Sequence, residues 1–273
     1  MSEILKGLGS LLGRFGHGPE VSDTLNRTFT VDGTPTVVVH NTFGSIRVVA
    51  GSDDNITLDA TRRARGITSD AHQSDLEIIT ITCTQDGNTV RIDARVTQPA
   101  VALARQLWAD LRITVPTATH LDIKAEAGNV EVTGTRGAIG AKVDAGNLEL
   151  KGASGPITAN VSAGNLQASD VELADGSRIA VAAGQVTLQG SLQPGASVDI
   201  RVDAGRAKLT LPRTTATHLD AFTDVGAISI TGWPIPVTRN VIAATATGDL
   251  GAPPAGRLTV RVNIGDITLN ANG

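Results

Sequence analysis

The chain has 273 residues, a formal net charge of −4 and an apolar fraction of 41%, with basic and acidic side chains interspersed. The absence of a clustered basic surface and the 2% aromatic content argue against nucleic-acid binding, and the single cysteine excludes an intramolecular disulfide framework. With 30 glycines and no tyrosine, the core has to be built from small aliphatic side chains, which suits a narrow interior.

Residues 2–16 have the spacing of an amphipathic helix. Three glycines each lower the stability of such a helix by about 1 kcal/mol, so we expect it to form only against a partner surface. That surface could be lipid headgroups, another subunit or the open end of this protein's own core. Residues 16–19, Gly-His-Gly-Pro, are predicted to form a linker. The face predicted to bind a membrane or a partner consists of Ile4, Leu5, Leu8, Leu11, Leu12 and Phe15.

No secretion signal is evident in these first residues, so we expect a cytoplasmic protein. If the helix binds lipid, its contact would be peripheral, at the inner face of the membrane.

Alternating runs separated by turns predict strands throughout residues 24–97. The turn at 86–88 reads Asp-Gly-Asn and predicts an antiparallel hairpin. Arg62, Arg63 and Arg65 form the one dense basic spot, and we expect them to guard a sheet edge rather than bind a ligand. Residues 98–110 have a helical pattern and could lie across an open end of the sheet.

The stretch from Glu126 to Ser169 repeats the triplet Ala-Gly-Asn three times at a spacing of 18 residues, and a short alternating run follows each triplet. Glycine favours a tight reversal because positive φ is open to it, and asparagine tolerates the same region. We therefore expect the asparagine amides to stack as a hydrogen-bonded ladder. The predicted structural turns are Gly128, Asn129, Gly146, Asn147, Gly164 and Asn165.

Further glycines continue this spacing with gaps of 17 to 22 residues, at Gly184, Gly205, Gly226, Gly248 and Gly265. A period of this length is typical of stacked coils, in which equivalent strands pair in parallel about 4.8 Å apart. Predicted inward side chains are Val130, Val132, Ile139, Val143, Leu148, Leu150, Ile157 and Val161. Predicted outward side chains are Glu131, Thr133, Lys142, Asp144, Glu149 and Lys151.

The fold class predicted is therefore an all-β parallel β-solenoid, or β-helix, with three regions. They are the helix and linker at 1–18, a β-rich capping region at 19–110 and the repetitive solenoid at 111–273. No cap is evident after residue 269, which leaves end-to-end association open. A second repeat, Pro116 to Asp122 and Pro212 to Asp220, shares the letters Thr-Ala-Thr-His-Leu-Asp.

Several runs resemble the DUF4097 family of β-strand-repeat proteins, which are related to bacterial adhesin head domains. The matching runs are 43–48, 109–116, 128–134 and 265–269, and the resemblance extends over about residues 25–270. It implies a right-handed β-solenoid with no established enzymatic role. Some relatives are associated with adhesion or with cell-envelope stress.

The chemistry of the chain favours a non-enzymatic scaffold or interaction module. We predict no catalytic residues, no metal site and no cofactor. The partner would be a protein, or another copy bound through the solenoid ends. One alternative is a secreted adhesin-type surface domain. A more distant one is a β-helical carbohydrate-active enzyme, with charged groups such as Asp144, Asp203 and Arg201 from adjacent coils.

Overall fold

The structure, a computed structural model, describes residues 20–51, 54–65, 73–98 and 106–272. Within these ranges, 21 strands form one continuous sheet, which confirms the prediction of an all-β fold. The one helical element described is a short 3-10 helix, Gln73–Ile78. The predicted amphipathic residues Ile4 to Phe15 lie outside the described part of the chain.

The strands follow the alternating runs of the sequence. In the first part of the chain they are β1 (Glu20–Thr30), β2 (Thr36–Phe43), β3 (Ile46–Gly51), β4 (Asn55–Arg65), β5 (Ile79–Asp86), β6 (Thr89–Val96), β7 (Leu107–Pro116), β8 (His120–Ala127) and β9 (Val130–Thr133). They continue with β10 (Ile139–Ala145), β11 (Leu148–Lys151), β12 (Ser154–Gly155), β13 (Ile157–Ala163), β14 (Leu166–Leu173), β15 (Ser177–Leu192), β16 (Ser197–Pro212), β17 (His218–Val225), β18 (Ile228–Thr231), β19 (Val237–Arg239), β20 (Ala244–Asp249) and β21 (Arg257–Asn272).

Most of the sheet is organised as two ladders that meet at a corner, where the chain turns at Gly128, Gly146, Gly164 and equivalent glycines. β12 lies outside both ladders and pairs in parallel with the end of β14. Ladder 1 holds the strands before the corner glycines, in the order β5, β6, β2, β8, β10, β13, first half of β15, first half of β16, first half of β21, β17, β20 and β19. Ladder 2 holds those after them, in the order β1, β4, β7, β3, β9, β11, β14, then the second halves of β15, β16 and β21, then β18. In the repeat, the strands pair in parallel one coil apart: Ile139 lies opposite Leu121 on one side and Ile157 on the other.

The corner requires glycine for a steric as well as a conformational reason. Gly146 and Gly164 both have φ of +142°. A Cβ on Gly146 would lie 2.0 Å from the carbonyl oxygen of Gly128, and one on Gly164 would lie 1.8 Å from that of Gly146. The backbones of successive coils therefore approach too closely for any side chain at this position.

The core is a single cluster of buried side chains, all of them Val, Ile, Leu or Ala except Trp233. Every predicted inward side chain from Val130 to Val161 is at most 2% exposed, which confirms the alternation read from the sequence. The predicted outward set, from Glu131 to Lys151, is partly or fully exposed.

Both ends of the column of stacked coils contain antiparallel strands. The prediction of a parallel solenoid over residues 111–273 is wrong at its C-terminal end, where β20 pairs in antiparallel fashion with β17 and β19. At the N-terminal end β4 pairs in antiparallel fashion with β1 and with β7, and β5 pairs likewise with β6 across the turn at Gly87. The hairpin predicted from Asp-Gly-Asn is confirmed. The helical prediction for residues 98–110 is wrong for its described part, because Leu107, Ala109 and Leu111 alternate inward along β7.

The C-terminal strand does not end the column. β21 lies between β16 on one side and β17 with β18 on the other, paired in parallel on both edges. The end is instead formed by β17, β18 and the antiparallel strands β20 and β19, and the core residue Trp233 follows β18. The expectation of an uncapped end at residues 270–273 is therefore wrong.

Because β21 is inserted between β16 and β17 with β18, the corner glycines do not stack in the order in which they occur in the sequence. Gly265 packs on Gly205, and Gly226 packs on Gly265. Gly248 is not a corner residue, because it lies in antiparallel β20 opposite Leu219.

The repeated Thr-Ala-Thr-His-Leu-Asp turn marks the two places where the chain passes over an occupied coil. After β7 the chain crosses the coil of β2 and β3 and enters β8, and after β16 it crosses the coil of β21 and enters β17. A backbone hydrogen bond fixes each crossing to the residue that precedes the crossed coil. The amide of His120 donates to the carbonyl of Pro35 at 2.9 Å, and the amide of His218 donates to the carbonyl of Gly256 at 2.9 Å.

Candidate functional site

A concave surface lies on the outer side of ladder 2, beside the corner. We call it the polar groove; its volume is about 560 Å³. Adjacent coils supply it through β3, β9, β11 and β14, so its walls are held by parallel strand pairing. The lining residues are Ser45, Ile46, Arg47, Asn129, Val130, Glu131, Asn147, Leu148, Glu149, Asn165 and Gln167.

One wall of the polar groove is the ladder of three asparagines. The Nδ2 of Asn147 donates to the Oδ1 of Asn129 at 3.2 Å, and the Nδ2 of Asn165 donates to the Oδ1 of Asn147 at 3.3 Å. Each acceptor oxygen also receives a backbone amide from the next coil, at 3.0 Å in both cases. The structure thus brings together the asparagines predicted from the repeat, and their amides tie successive coils to one another.

Two carboxylates beyond the polar groove accept backbone amides at the corner as the asparagines do, and sequence reasoning missed them. Asp110 Oδ1 accepts from the Ser45 amide at 3.1 Å and from its hydroxyl at 2.6 Å. Asp266 Oδ1 accepts from the Ala227 amide at 3.0 Å. The backbone amide of Gln185 donates to the Oδ1 of Asn165 at 3.1 Å. Asp266 directly follows the corner glycine Gly265, as each asparagine of the ladder follows its own glycine. This shared position was the sequence signal that could have identified Asp266.

Arg47, Glu131 and Glu149 line the polar groove, and they form ion pairs with one another or with the neighbouring Lys151. Arg47 pairs with Glu131 at 2.8 Å, and Lys151 pairs with Glu131 at 3.3 Å and with Glu149 at 2.8 Å. Burial acts to raise the pKa of Glu131, but the hydrogen bond from Lys151 and the charge of Arg47 outweigh it and hold that pKa below its usual range. The hydrogen bond to Glu149 raises the pKa of Lys151. These groups are committed to each other, so the groove offers amides and paired charges rather than a free acid or base.

Of the charged groups considered for a carbohydrate enzyme, Arg201 and Asp203 line one small pocket on ladder 1, and Asp144 does not line it. Asp144 pairs with Lys142 at 3.5 Å, and Asp203 accepts from Asn263 at 3.0 Å. The register from β10 through β13 and β15 to β16 places these two carboxylates three coils apart, roughly 14 Å.

The basic spot on β4 is neither a sheet edge nor a free anion site. β4 is covered by β1, whose carboxylates pair with all three arginines: Asp23 with Arg62, and Glu20 with Arg63 and Arg65. The hydrogen bonds from Arg63 and Arg65 lower the pKa of Glu20. The prediction that these arginines guard an edge is therefore wrong, because β1 occupies the edge they were expected to protect.

The described histidines make local contacts. His40 lies between Asp93 at 3.1 Å and Glu126 at 2.9 Å, and His218 Nδ1 lies 2.6 Å from Asp249. In the described ranges, no group of three or more His, Cys, Asp or Glu side chains is arranged so that it could hold a metal ion. Those ranges also contain no helix long and apolar enough to cross a bilayer.

Comparison with known proteins gives a family match. The profile of the family described as Toastrack DUF4097 matches residues 37–218, about two thirds of the chain. A search of curated proteins finds no match.

Three solved structures are similar over nearly the whole chain. One is a putative adhesin from Bacteroides fragilis, at 13% identity and a TM-score of 0.40, covering 90% of this chain and 97% of that one. The second is a putative cell adhesion protein from Clostridium sporogenes, at 12% and 0.36, covering 92% and 100%. The third is a putative lipid binding protein from Parabacteroides distasonis, at 9% and 0.33, covering 92% and 97%. At TM-scores of 0.40 and below, these likenesses carry no argument about what this chain does.

Proposed function

This chain belongs to the Toastrack DUF4097 family, and from that premise we propose that it is a non-enzymatic interaction module, a β-solenoid scaffold that presents the polar groove to a protein partner. The observation that carries the proposal is the composition of the groove. The groove is walled by hydrogen-bonded amides, and its charged side chains form ion pairs that satisfy one another. Such a surface suits recognition by shape and hydrogen bonding.

The strand pairing supports a scaffold role. Each coil is tied to the next through backbone bonds on both ladders and through the asparagine wall. A surface held in this way pays little ordering entropy when a partner binds. A polypeptide that carries both acidic and basic side chains would match the ion-paired cluster of Arg47, Glu131, Lys151 and Glu149.

A photo-crosslinking experiment tests the proposal. A photoreactive side chain is placed at Gln167 in the groove and, as a matched control, at exposed Asn160 on ladder 1, and the protein is irradiated in the cells that produce it. We expect a discrete protein adduct from position 167 alone, and its loss when the second substitution Glu149→Lys reverses a groove charge. Identical adducts from both positions, or an adduct indifferent to Glu149→Lys, would contradict the proposal.

Recruitment and location belong to the same proposal. Residues 1–18 would act as the recruiting segment for a partner, and the protein would work on the cytoplasmic side. Protease accessibility in intact and lysed cells tests the location. Degradation in intact cells would instead favour the adhesin-type surface domain.

A further inference from the structure

A row of apolar residues follows the outside of the corner. Each of them directly precedes a corner glycine, and strand register places them side by side through eight coils. We call this row the apolar ridge; in spatial order it consists of Phe43, Ala127, Ala145, Ala163, Ala183, Ala204, Ile264 and Val225. Small alanines occupy its middle, and large aliphatic side chains occupy its C-terminal end.

At that end the large side chains are open to solvent. Val225 is 43% exposed and Ile264 is 60% exposed. The Gly226 amide donates to the carbonyl of Ile242 at 2.9 Å, which brings Val241 and Ile242 to the same place. These two are 101% and 61% exposed, and the four together are the large apolar residues most exposed in the described ranges. We call them the apolar patch; exposed clusters of this kind commonly mark an interaction surface.

The chain itself contains a segment of matching chemistry. The six large apolar residues between Ile4 and Phe15 fall on one face at helical spacing, and the segment joins the structure at Glu20, where β1 begins. β1 is the first strand of ladder 2 and β18, beside the apolar patch, is the last. Ten strand separations lie between them, about 48 Å.

The segment cannot cover the apolar patch of its own molecule as a helix. The four-residue linker 16–19 spans at most about 14 Å. A helix over residues 2–15 adds about 21 Å. The total of roughly 35 Å falls short of the patch, whereas the patch of a second molecule placed at the N-terminal end is within reach.

We propose that residues 4–15 of one copy bind the apolar patch of a second copy, which joins the molecules head to tail. This inference rests on the proposed function and names one partner of the interaction module, the protein itself. The contact joins two different surfaces, so a dimer keeps a free segment on one copy and a free patch on the other, and assembly continues beyond the dimer. Burial of the two apolar faces drives the association.

The test uses full-length variants and sedimentation velocity. Leu8→Asp with Leu12→Asp breaks the segment, and Val225→Thr with Ile264→Thr breaks the patch while it keeps β-branched side chains in the strands. We expect the unmodified chain to grow beyond a dimer with concentration, and each double variant to be at least about tenfold weaker in self-association. An equimolar mixture of the two variants should form a one-to-one dimer and nothing larger, since only one intact contact remains. Far-UV circular dichroism and thermal unfolding confirm that both variants are folded.

Four results would overturn the inference. They are a monomeric unmodified chain at about 100 µM, a patch variant that still assembles, a mixture that forms no dimer, and assembly lost equally through Ala163→Thr in the middle of the apolar ridge. Flotation with anionic vesicles supplies a further readout. A monomeric chain that floats with vesicles, and no longer does so with Leu8→Asp and Leu12→Asp, would assign the segment to lipid. Crosslinking at Gln167 would then still decide the proposed function.

Discussion

At the scale of single residues, the corner depends on glycine, which has no Cβ, and on the hydrogen bonds of the asparagine side chain. Gly146 leaves room for the backbone of the neighbouring coil, and the amide beside it, in Asn147, binds both adjacent coils. These two neighbouring residues therefore have different roles: Gly146 avoids a steric clash, and Asn147 supplies hydrogen bonds.

Gly146→Ala should cost about 3 kcal/mol or more in the free energy of unfolding, because its Cβ would meet the Gly128 carbonyl oxygen 2.0 Å away at a φ of +142°. Urea denaturation measures the loss. Gly140→Ala is the matched control, since φ at Gly140 is not in the left-handed region and its nearest neighbour would lie at 3.6 Å. Equal stabilities for the two variants would refute the steric requirement at the corner.

Asn147→Ala should lower the free energy of unfolding by about 1–2 kcal/mol, because it removes the bonds to Asn129 and Asn165 from an exposed site. Asn160→Ala, on the outer side of ladder 1, is the control and should change little. If the two alanine variants unfold at the same urea concentration, the asparagine wall does not stabilise the stack.

Glu131 should make part of the stability dependent on pH. Its folded pKa is lowered, so its ion pairs stabilise the protein above the unfolded pKa of about 4.5, and this contribution disappears as the pH falls through the folded value. We expect Glu131→Gln to reduce the unfolding free energy at pH 7 and to change it little at pH 3. An equal loss at both pH values would show that packing, rather than charge, matters at this position.

At the scale of elements, β21 is the least expected strand of the fold. It is the last described strand, yet it pairs along nearly its whole length with β16 and also with β17 and β18. It lies roughly 60 residues along the chain from β16, and an alternating sequence specifies which side chains point inward but not which strand lies alongside. This is why the sequence order of the corner glycines misled at Gly226, Gly248 and Gly265.

Hydrogen exchange distinguishes an inserted strand from a terminal one. Chain termini ordinarily fray, but the amides of Val260, Val262 and Ile267 should exchange as slowly as those of β16. The amides of β19, which pairs only with β20 among the described strands, should exchange much faster. Fast exchange throughout β21 would contradict its insertion.

At the scale of the whole molecule, the sequence predicts the repetitive middle well and the ends poorly. Between Val130 and Val161, coils adjacent in sequence are also adjacent in space, so a local period determines both the pairing and the buried face. At the ends the partners are distant, and antiparallel strands replace the repeat. The asparagine wall could be predicted from the 18-residue period of the sequence. Asp110 accepts a corner amide in the same way, but it lies on β7, outside the repeat, so only the three-dimensional register reveals its role.

The apolar patch is also formed by residues that are distant in the sequence. Val225 and Ile264 lie 39 residues apart and become neighbours only through the insertion of β21. Sequence analysis therefore finds the amphipathic segment but not the surface proposed to receive it.

Distance measurements between spin labels test the order of the coils most directly. With one label at Glu149 and the second at Thr268 or Ser229, all three outward on ladder 2, the register predicts about 19 Å to Thr268 and about 24 Å to Ser229. The longer distance to the residue that comes earlier in the chain would verify the inserted strand and the column built around it. The reverse order, with Ser229 nearer to Glu149 than Thr268, would contradict both.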